Sequence, residues 1–369
     1  MQQKLQEKHP QIINLDLFGQ SIKSEYTRIV YTTCLKKYFE FPGSSKFINM
    51  TDTTKIEDHI TDFITSMKKN GKCFRAIYNY VSAICKFYRM NRVTLDTKHI
   101  REYLPEFRKS KKDRPYEHEE IQRLLEIADE RMRTVILLLA STGMRIGAIP
   151  DLRLRNIEKV EIEADVTSIY KITVYEGYKE EYITFTSPEC TIAIDSYLKM
   201  RERYGEKLNS NSFLIREQFD IRDPFAISKC KEVRANTLTG KLIDLAVRAG
   251  IRQKEVLEGK PHGHGTIRKD IPIAHGFRKF FTSQLVEADL KTELRWLLEG
   301  HNLKGNDSNY VKVSEKRLQE DYKKAIDKLT IDPANRLQRT VEILKIEKSR
   351  IDMLEAKIQK LEKKHDRIR

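Results

Sequence analysis

A basic segment without apolar side chains divides this 369-residue chain. Five of the seven residues at 108–114 are Lys or Arg, none is apolar, and Pro115 follows them. A hydrophobic core cannot be built from such a stretch, and a chain of this length suffices for about two domains, each with its own core. We therefore predict a basic linker at 108–115, a domain at 1–107 before it and a second domain at 116–330 after it.

Helical periodicity dominates the first of these domains. Apolar residues recur three and four positions apart in four stretches, which are residues 30–39, 56–67, 74–88 and 100–107. This spacing places the apolar side chains on one face of a helix. Turn residues at 42–44 and 70–71 separate the first helices. The pattern predicts a small four-helix domain.

The second domain combines helices with a short β element. Residues 135–140 are an unbroken apolar run that ends near Gly143, which predicts a buried helix. Further helical patterns cover residues 190–203, 237–249, 278–288 and 291–299. Between them, residues 166–187 change to a period of two. Val166, Ser168, Tyr170, Ile172 and Val174 lie on one face of this segment. We predict a β-hairpin there, with Lys179 at its tip, in a domain that is otherwise mainly α.

The tail at 331–369 has a pattern of its own. Its apolar residues fall on the a and d positions of a heptad repeat; they are Leu344, Ile351, Leu354, Ile358, Leu361 and Ile368. This spacing is typical of a coiled coil, although only about three heptads are clean. The tail is therefore predicted to be a C-terminal helix, either paired in a coiled coil or solvated on all sides.

The charge of the chain favours a polyanionic partner. Lys and Arg number 69 against 54 Asp and Glu, which gives a net charge of +15 and a pI near 9.4. Each contact of such a protein with a phosphate releases counterions from nucleic acid. The mean hydropathy is −0.59 and no apolar run of 18 residues occurs, so we expect no membrane association. The five cysteines form no C-x-x-C pair. We therefore expect reduced thiols and a cytoplasmic, nucleoid-associated protein.

A set of polar residues in the second domain fits phosphodiester chemistry. They are Arg145, His275, Arg278, His301 and Tyr310. Two arginines can clamp the oxygens of one phosphate, histidines can bind that phosphate or move protons, and a tyrosine can form a covalent bond to phosphorus.

The order Arg145, His275-Gly-Phe-Arg278, Gly300-His301, Tyr310 resembles the tyrosine recombinase, or phage-type integrase, family, in particular its archaeal members. The resemblance covers roughly residues 20–330. It implies an N-terminal core-binding domain that grips double-stranded DNA, followed by a catalytic domain. It also implies a homotetramer around two duplexes, and a reaction that needs no cofactor.

The resemblance further implies a role for each residue. Tyr310 attacks the scissile phosphate to give a 3′-phosphotyrosine and a free 5′-hydroxyl. Arg145, Arg278 and His301 stabilise the pentavalent phosphorane, while His275 assists in proton transfer or phosphate binding. Lys179 resembles the lysine that protonates the leaving 5′ oxygen, and Lys171 is close to it in sequence.

Two features complicate these assignments. The family usually carries Glu or Asp three residues after its first arginine, where this chain has Ala148; Asp151 is the nearest acidic replacement. Tyr322 is a second tyrosine near His301, but it lies in a charged helical stretch that suits packing or exposure better than catalysis.

The basic linker supplies candidate contacts to the DNA backbone, which are Lys109, Lys111, Lys112 and Arg114. The alternative is a solvated loop without a partner. His262 and His264 lie two apart without a nearby cysteine or carboxylate motif, so no metal site is predicted.

Two other functions remain open from the sequence. A type IB topoisomerase uses similar chemistry as a monomer, but its family usually places the tyrosine beyond a long coiled-coil linker, whereas here the heptads follow Tyr310. A catalytically silent DNA-binding or assembly protein would use the basic surface and the tail alone.

Overall fold

The computed structural model describes residues 18–47, 52–107, 113–162, 168–220, 222–228, 231–253, 270–301 and 313–365. These residues divide into two compact units. One contains the described residues up to 107, and the other contains those from 113 onward. Each unit has its own cluster of buried apolar side chains.

The first unit is helical, as its periodicity predicts. Its helices are α1 (Glu25–Glu40), α2 (Ser44–Phe47), α3 (Thr53–Lys69), α4 (Phe74–Met90) and α5 (Thr97–Glu102). Oxygen-bearing side chains at Ser24, Asp52 and Asp96 begin α1, α3 and α5, and each accepts a hydrogen bond from a backbone N–H that the helix leaves unpaired.

The core of this unit is rich in aromatic rings. Tyr38 is fully buried and packs edge-on against Phe63. The structure differs from the prediction at two places: α2 occupies part of the predicted turn, and α5 ends at Glu102. Tyr103 and Phe107 therefore lie beyond the last helix and are exposed. They pack locally, Tyr103 against His99 and Phe107 against Phe74.

Two helices open the second unit, α6 (His118–Ile127) and α7 (Glu130–Thr142). Every residue of α7 from Arg131 to Thr142, except Arg133, is buried. The unbroken apolar run at 135–140 explains this burial, since a helix that is apolar on all sides is stable only inside a core. The predicted buried helix is confirmed.

A three-stranded antiparallel sheet follows, in the order β1 (Ile157–Glu161), β2 (Ser168–Val174), β3 (Tyr182–Phe185). The predicted hairpin is β2 and β3; the sequence analysis missed β1. The face of β2 is also different, because Ile169, Ile172 and Val174 are buried, whereas Tyr170 is only half-buried. The Tyr170 hydroxyl donates to Asp195 Oδ1 at 2.6 Å, so its ring stays near the surface. Val166 lies outside the described residues.

Helices complete the unit. They are α8 (Pro188–Arg203), α9 (Pro224–Ser228), α10 (Ala235–Arg248), α11 (Ile273–Glu287), α12 (Thr292–Leu298) and α13 (Glu315–Leu329). A buried ion cluster joins the end of α8 to the next loop: Glu206 accepts hydrogen bonds from Arg201 at 2.6 Å and from Arg216 at 2.7 Å. The fold class, mainly α with a small sheet, is as predicted.

The tail forms one long helix, α14 (Pro333–His365). Its start is fixed to α8, because Glu189 accepts hydrogen bonds from the backbone N–H groups of Ile331 and Asp332. The heptad residues beyond that point are at least half exposed: Leu344 58%, Ile351 55%, Leu354 50% and Ile358 54%. The side chains of Leu361 and Ile368 lie outside the described residues. Within the described ranges, no helix is both long and apolar enough to cross a membrane.

Candidate active site

The end of α7 brings Arg145 to the surface. Gly143 ends the helix in the left-handed conformation, with φ of 61°. A Cβ there would overlap the ring of Phe281, so only glycine fits. Two residues later Arg145 is exposed, at the start of a 3₁₀ helix (Ile146–Asp151). The predicted exit of this guanidinium from the core is confirmed.

Arg278 connects three chain segments. It lies in the second turn of α11 and is only 5% exposed. Its Nη1 donates to the carbonyl oxygen of Gly143 at 2.8 Å, and its Nη2 donates to the carbonyl oxygen of Glu299 at 2.6 Å. The guanidinium therefore satisfies backbone acceptors at the ends of both α7 and α12. His275 lies one turn earlier on α11 and is exposed.

His301 follows the end of α12 and lies against Arg278. Gly300 has φ of 67°, and a Cβ at this position would overlap the ring of Tyr182. His301 Nε2 lies 2.8 Å from Arg278 Nη2, and the His301 side chain is 46% exposed. The structure thus brings the predicted residues Arg278 and His301 into direct contact.

Glu299 is a further residue of the site and is not among those predicted from the sequence. Its side chain is buried, and its Oε2 lies 3.1 Å from His301 Nε2 and 3.9 Å from Arg278 Nη2. Thr282 Oγ1 lies 2.7 Å from the other carboxylate oxygen, Oε1. The only signal in the sequence is an acidic residue placed after two leucines and directly before Gly300.

Asp151, the acidic replacement proposed from the sequence, is not the carboxylate that contacts Arg278 and His301. Ala148 is buried in the apolar core, and Asp151 is exposed. Among the described residues, Glu299 is the carboxylate that contacts both Arg278 and His301. Asp151 was therefore the wrong choice for that contact, because α12 rather than the segment after Arg145 delivers the acid.

The electrostatics of the site favour a bound anion. Burial lowers the pKa of Arg278, and the nearby charge of Arg145 adds to this effect. Burial also lowers the pKa of both histidines, with further contributions from Lys279 and Arg278 at His275 and from Arg278 at His301; the charge of Arg145 acts on both rings. Cations that disfavour one another in this way are stabilised by a phosphate between them.

Three described tyrosines lie at or near the site. Tyr175 and Tyr182 lie within the electrostatic reach of Arg145 and Arg278, and burial raises the pKa of Tyr182 to about 12. Tyr322 is fully buried and its hydroxyl donates to the carbonyl oxygen of Ser141 at 2.8 Å. Burial holds the pKa of Tyr322 well above its usual range, which makes it unsuitable as a nucleophile. Tyr310 lies outside the described residues.

The two candidate lysines differ in their surroundings. Lys179 is exposed in the turn between β2 and β3. Lys171, in contrast, lies on β2 and forms ion pairs with Glu158 at 2.6 Å and Glu315 at 3.0 Å. These pairs raise the pKa of Lys171, so it is a poorer proton donor.

The basic linker is described only from Asp113 onward. Lys109, Lys111 and Lys112 lie outside the described residues, as do His262 and His264. Arg114 directs its guanidinium at Glu120, with Nη–Oε distances of 2.8 and 2.7 Å. This bidentate pair holds the guanidinium at the start of α6, and the contact of Arg114 with the DNA backbone stays a prediction. Within the described ranges, no cluster of three His, Cys, Asp or Glu suits a metal ion.

Comparison with known proteins shows the family to which this chain belongs. The model of the Phage integrase family matches residues 115–317, more than half of the chain. No curated protein matched the sequence.

Solved structures that resemble this chain include a recombinase and an integrase. The XerH site-specific recombinase bound to difH substrate in a pre-cleavage complex has 18% identity and a TM-score of 0.51, over 79% of this chain and 78% of that chain. A lambda integrase tetramer bound to a Holliday junction has 13% identity and a TM-score of 0.52, over 81% and 76%. At these identities the likeness shows a shared fold.

Replacing Gly300 by alanine tests how tightly the end of α12 is fitted. Gly250 has nearly the same backbone, with φ of 69°, but no atom lies within 4 Å of the position of its Cβ. Gly250→Ala should therefore cost only the strain of the left-handed conformation, about 1–2 kcal/mol of unfolding free energy. Gly300→Ala should cost about 1–3 kcal/mol more, because the ring of Tyr182 must move.

Urea denaturation, followed through the fluorescence of Trp296, the only tryptophan, measures both losses. Equal losses in the two variants would show that Tyr182 does not pack on Gly300 as described.

Proposed function

We propose that this chain, which belongs to the Phage integrase family and is a tyrosine-type site-specific DNA recombinase, cleaves and rejoins DNA through a covalent bond to Tyr310. The observation that carries this proposal is the cluster in which buried Arg278 contacts His301, with the charge of Arg145 close by. A cluster of cationic and histidine side chains that is partly open to solvent suits a phosphodiester.

In the proposed reaction, the phenolic oxygen of Tyr310 bonds to phosphorus as the bond from phosphorus to the 5′ oxygen breaks. The phenol loses its proton, and the 5′ oxygen gains one. The phosphotyrosine retains the energy of the cleaved bond, so religation by a 5′-hydroxyl needs no cofactor.

Each surrounding residue has a proposed role. Arg145 and Arg278 bind the non-bridging oxygens and stabilise the charge that builds up in the transition state. His301 assists them, and His275, one turn before Arg278, binds the phosphate or moves a proton. Lys179 protonates the leaving oxygen; its exposure supports this role, whereas Lys171 is engaged in ion pairs.

The surrounding chain provides the grip on double-stranded DNA. We assign residues 1–107 to a core-binding domain, 116–330 to the catalytic domain, and Lys109, Lys111 and Lys112 in the linker to the DNA backbone. The net charge of +15 supports contact with a polyanion. Such an enzyme would act on DNA in the nucleoid.

The tail at 331–369 is proposed to act in assembly. One structural neighbour is a lambda integrase tetramer on a Holliday junction, and strand exchange between two duplexes requires four protomers here as well. The exposed apolar stripe of α14 suits pairing with another protomer, because a helix with such a stripe is stabilised by covering it.

Tyr310→Phe removes the attacking oxygen and keeps the ring. We expect it to abolish covalent DNA adducts and to leave DNA binding near normal. The probe is a library of DNA duplexes that have a randomised central sequence and a nick in one strand. When the protein cleaves that strand near the nick, the short piece between the cleavage site and the nick dissociates. Religation is then impossible, and the covalent adduct is trapped. The duplexes trapped by the wild-type protein are sequenced and then used in every later assay.

The matched controls are Tyr175→Phe, Tyr182→Phe and Tyr322→Phe. Each removes one hydroxyl from a tyrosine at or near the site, and each should still form adduct. If one of them loses the adduct while Tyr310→Phe retains it, the assignment of the nucleophile is wrong.

Arg278→Lys keeps the charge and loses the planar fork. We expect the cleavage rate per folded molecule to fall by about 100-fold or more, since the donors of an ammonium diverge from one nitrogen and cannot replace a planar fork whose Nη1 and Nη2 contact separate carbonyl oxygens. Arg216→Lys is the control, because Arg216 is also buried and donates to carbonyl oxygens, those of Ala226 and Ile227, away from the cluster. The Arg216→Lys variant should have a lower free energy of unfolding, but its cleavage rate per folded molecule should be unchanged. A near-normal rate for Arg278→Lys would contradict the proposed role.

Deleting residues 336–369 separates assembly from chemistry. The truncated protein should form adduct on a single half-site at nearly the normal rate, because α14 lies beyond the cluster. Recombination between two sites should fall strongly. Equal loss of both activities would show that the tail supports the catalytic domain itself.

A further inference from the structure

His301 Nε2 has two partners, Arg278 and Glu299. That nitrogen lies 2.8 Å from Arg278 Nη2 and 3.1 Å from Glu299 Oε2. Without a proton, Nε2 can accept from Arg278 but faces the carboxylate lone pairs. With a proton, it can donate to Glu299 but faces the N–H of Arg278. The two contacts therefore stabilise opposite protonation states of the same nitrogen.

A phosphate would decide this competition. When a DNA oxygen draws the Arg278 N–H toward itself, Nε2 loses its donor, and Glu299 is left as its partner. A protonated ring then donates a hydrogen bond from Nε2–H to Glu299 and has the N–H on Nδ1 to donate to the phosphate. The carboxylate also offsets part of the positive charge of Arg278, which is only 5% exposed.

The carboxylate itself is held in place. Thr282 Oγ1, one turn after Arg278 on α11, lies 2.7 Å from Glu299 Oε1. Glu299 is the C-terminal cap of α12, and its own carbonyl oxygen accepts from Arg278. Backbone and side chain of this one residue thus contact the same guanidinium, at 2.6 and 3.9 Å.

We propose that Glu299 is a positioning residue for DNA cleavage: its carboxylate, anchored by Thr282, accepts a hydrogen bond from the Nε2–H of His301 and keeps the ring oriented and protonated beside the scissile phosphate. This inference rests on the proposed function. It assigns to Glu299 the acidic role for which the segment after Arg145 offers only buried Ala148 and exposed Asp151.

The charges around His301 fix the direction of a pH effect. Among the described residues, the groups that act on the ring are Arg278 on α11, Arg145 before the 3₁₀ helix, and Glu299. Burial and the two arginines lower the pKa of His301, and Glu299 raises it. Removing the charge of Glu299 should lower this pKa further. The part of the pH–rate profile that reports His301 then moves to lower pH, whichever protonation state is active.

Glu299→Gln is the principal test, in the trapped-adduct assay with the duplex selected by the wild-type protein. We expect cleavage to be about 10- to 100-fold slower with DNA binding unchanged, as for loss of a hydrogen bond to a charged group. Asp321→Asn is the control. Asp321 is a buried carboxylate that is paired with Arg317 and Lys324. The Asp321→Asn variant should leave the pH–rate profile unchanged.

A double-mutant cycle with His301→Ala shows whether Glu299 acts through the ring. In that background Glu299→Gln should have an effect of only a few-fold or less, whereas a merely structural role would give the same fold-change in both backgrounds. Thr282→Val is a second variant that removes only the anchoring hydroxyl. It should slow cleavage several-fold and keep the protein folded.

The outcomes separate the two proposals. If the wild-type protein forms no adduct, the proposed function fails. If it forms adduct and both Glu299→Gln and Thr282→Val cleave normally, or if the cycle is additive, the role of Glu299 is overturned.

Discussion

The site depends on one buried guanidinium. Arg278 donates to the carbonyl oxygen of Gly143 at the end of α7 and to that of Glu299 at the end of α12. Both are acceptors that a helix end leaves unpaired, so the arginine replaces two missing backbone hydrogen bonds. Its position is fixed by the same contacts that hold the helices together. Arg145 and His301, each just beyond one of these helix ends, are placed by the same arrangement.

This arrangement has an electrostatic consequence. Burial and, after it, the charge of Arg145 disfavour the charged form of Arg278, and the nearby carboxylate of Glu299 acts in the opposite direction. The rest of the second unit supplies the stability that holds these groups in place, through the mostly buried helix α7 and the packing of α11 against it. An anion entering the site meets donors that are already oriented, so little reorganisation is required when it binds.

Much of this could be predicted from the sequence, and the rest depends on packing between distant segments. The helical periodicity and the glycines before Arg145 and His301 predict where helices end, and they place both side chains correctly. Glu299 could not be found in this way, because its contacts with Thr282 and His301 exist only once α11 and α12 pack together. Strand β1 was missed because its alternation is short and mostly exposed, and its partner on β2 defines it. Tyr175 and Tyr182 reach the cluster only through the fold of the hairpin.

The most direct measurement is the identity of the residue that carries the DNA. The trapped complex is digested with nuclease and trypsin, and the peptide that retains a nucleotide is sequenced by mass spectrometry. We predict that the nucleotide is on the peptide of residues 305–312, in which Tyr310 is the only tyrosine. A nucleotide on a peptide that contains Tyr175, Tyr182 or Tyr322, or no nucleotide-bearing peptide from a complex that resists denaturation, would contradict it.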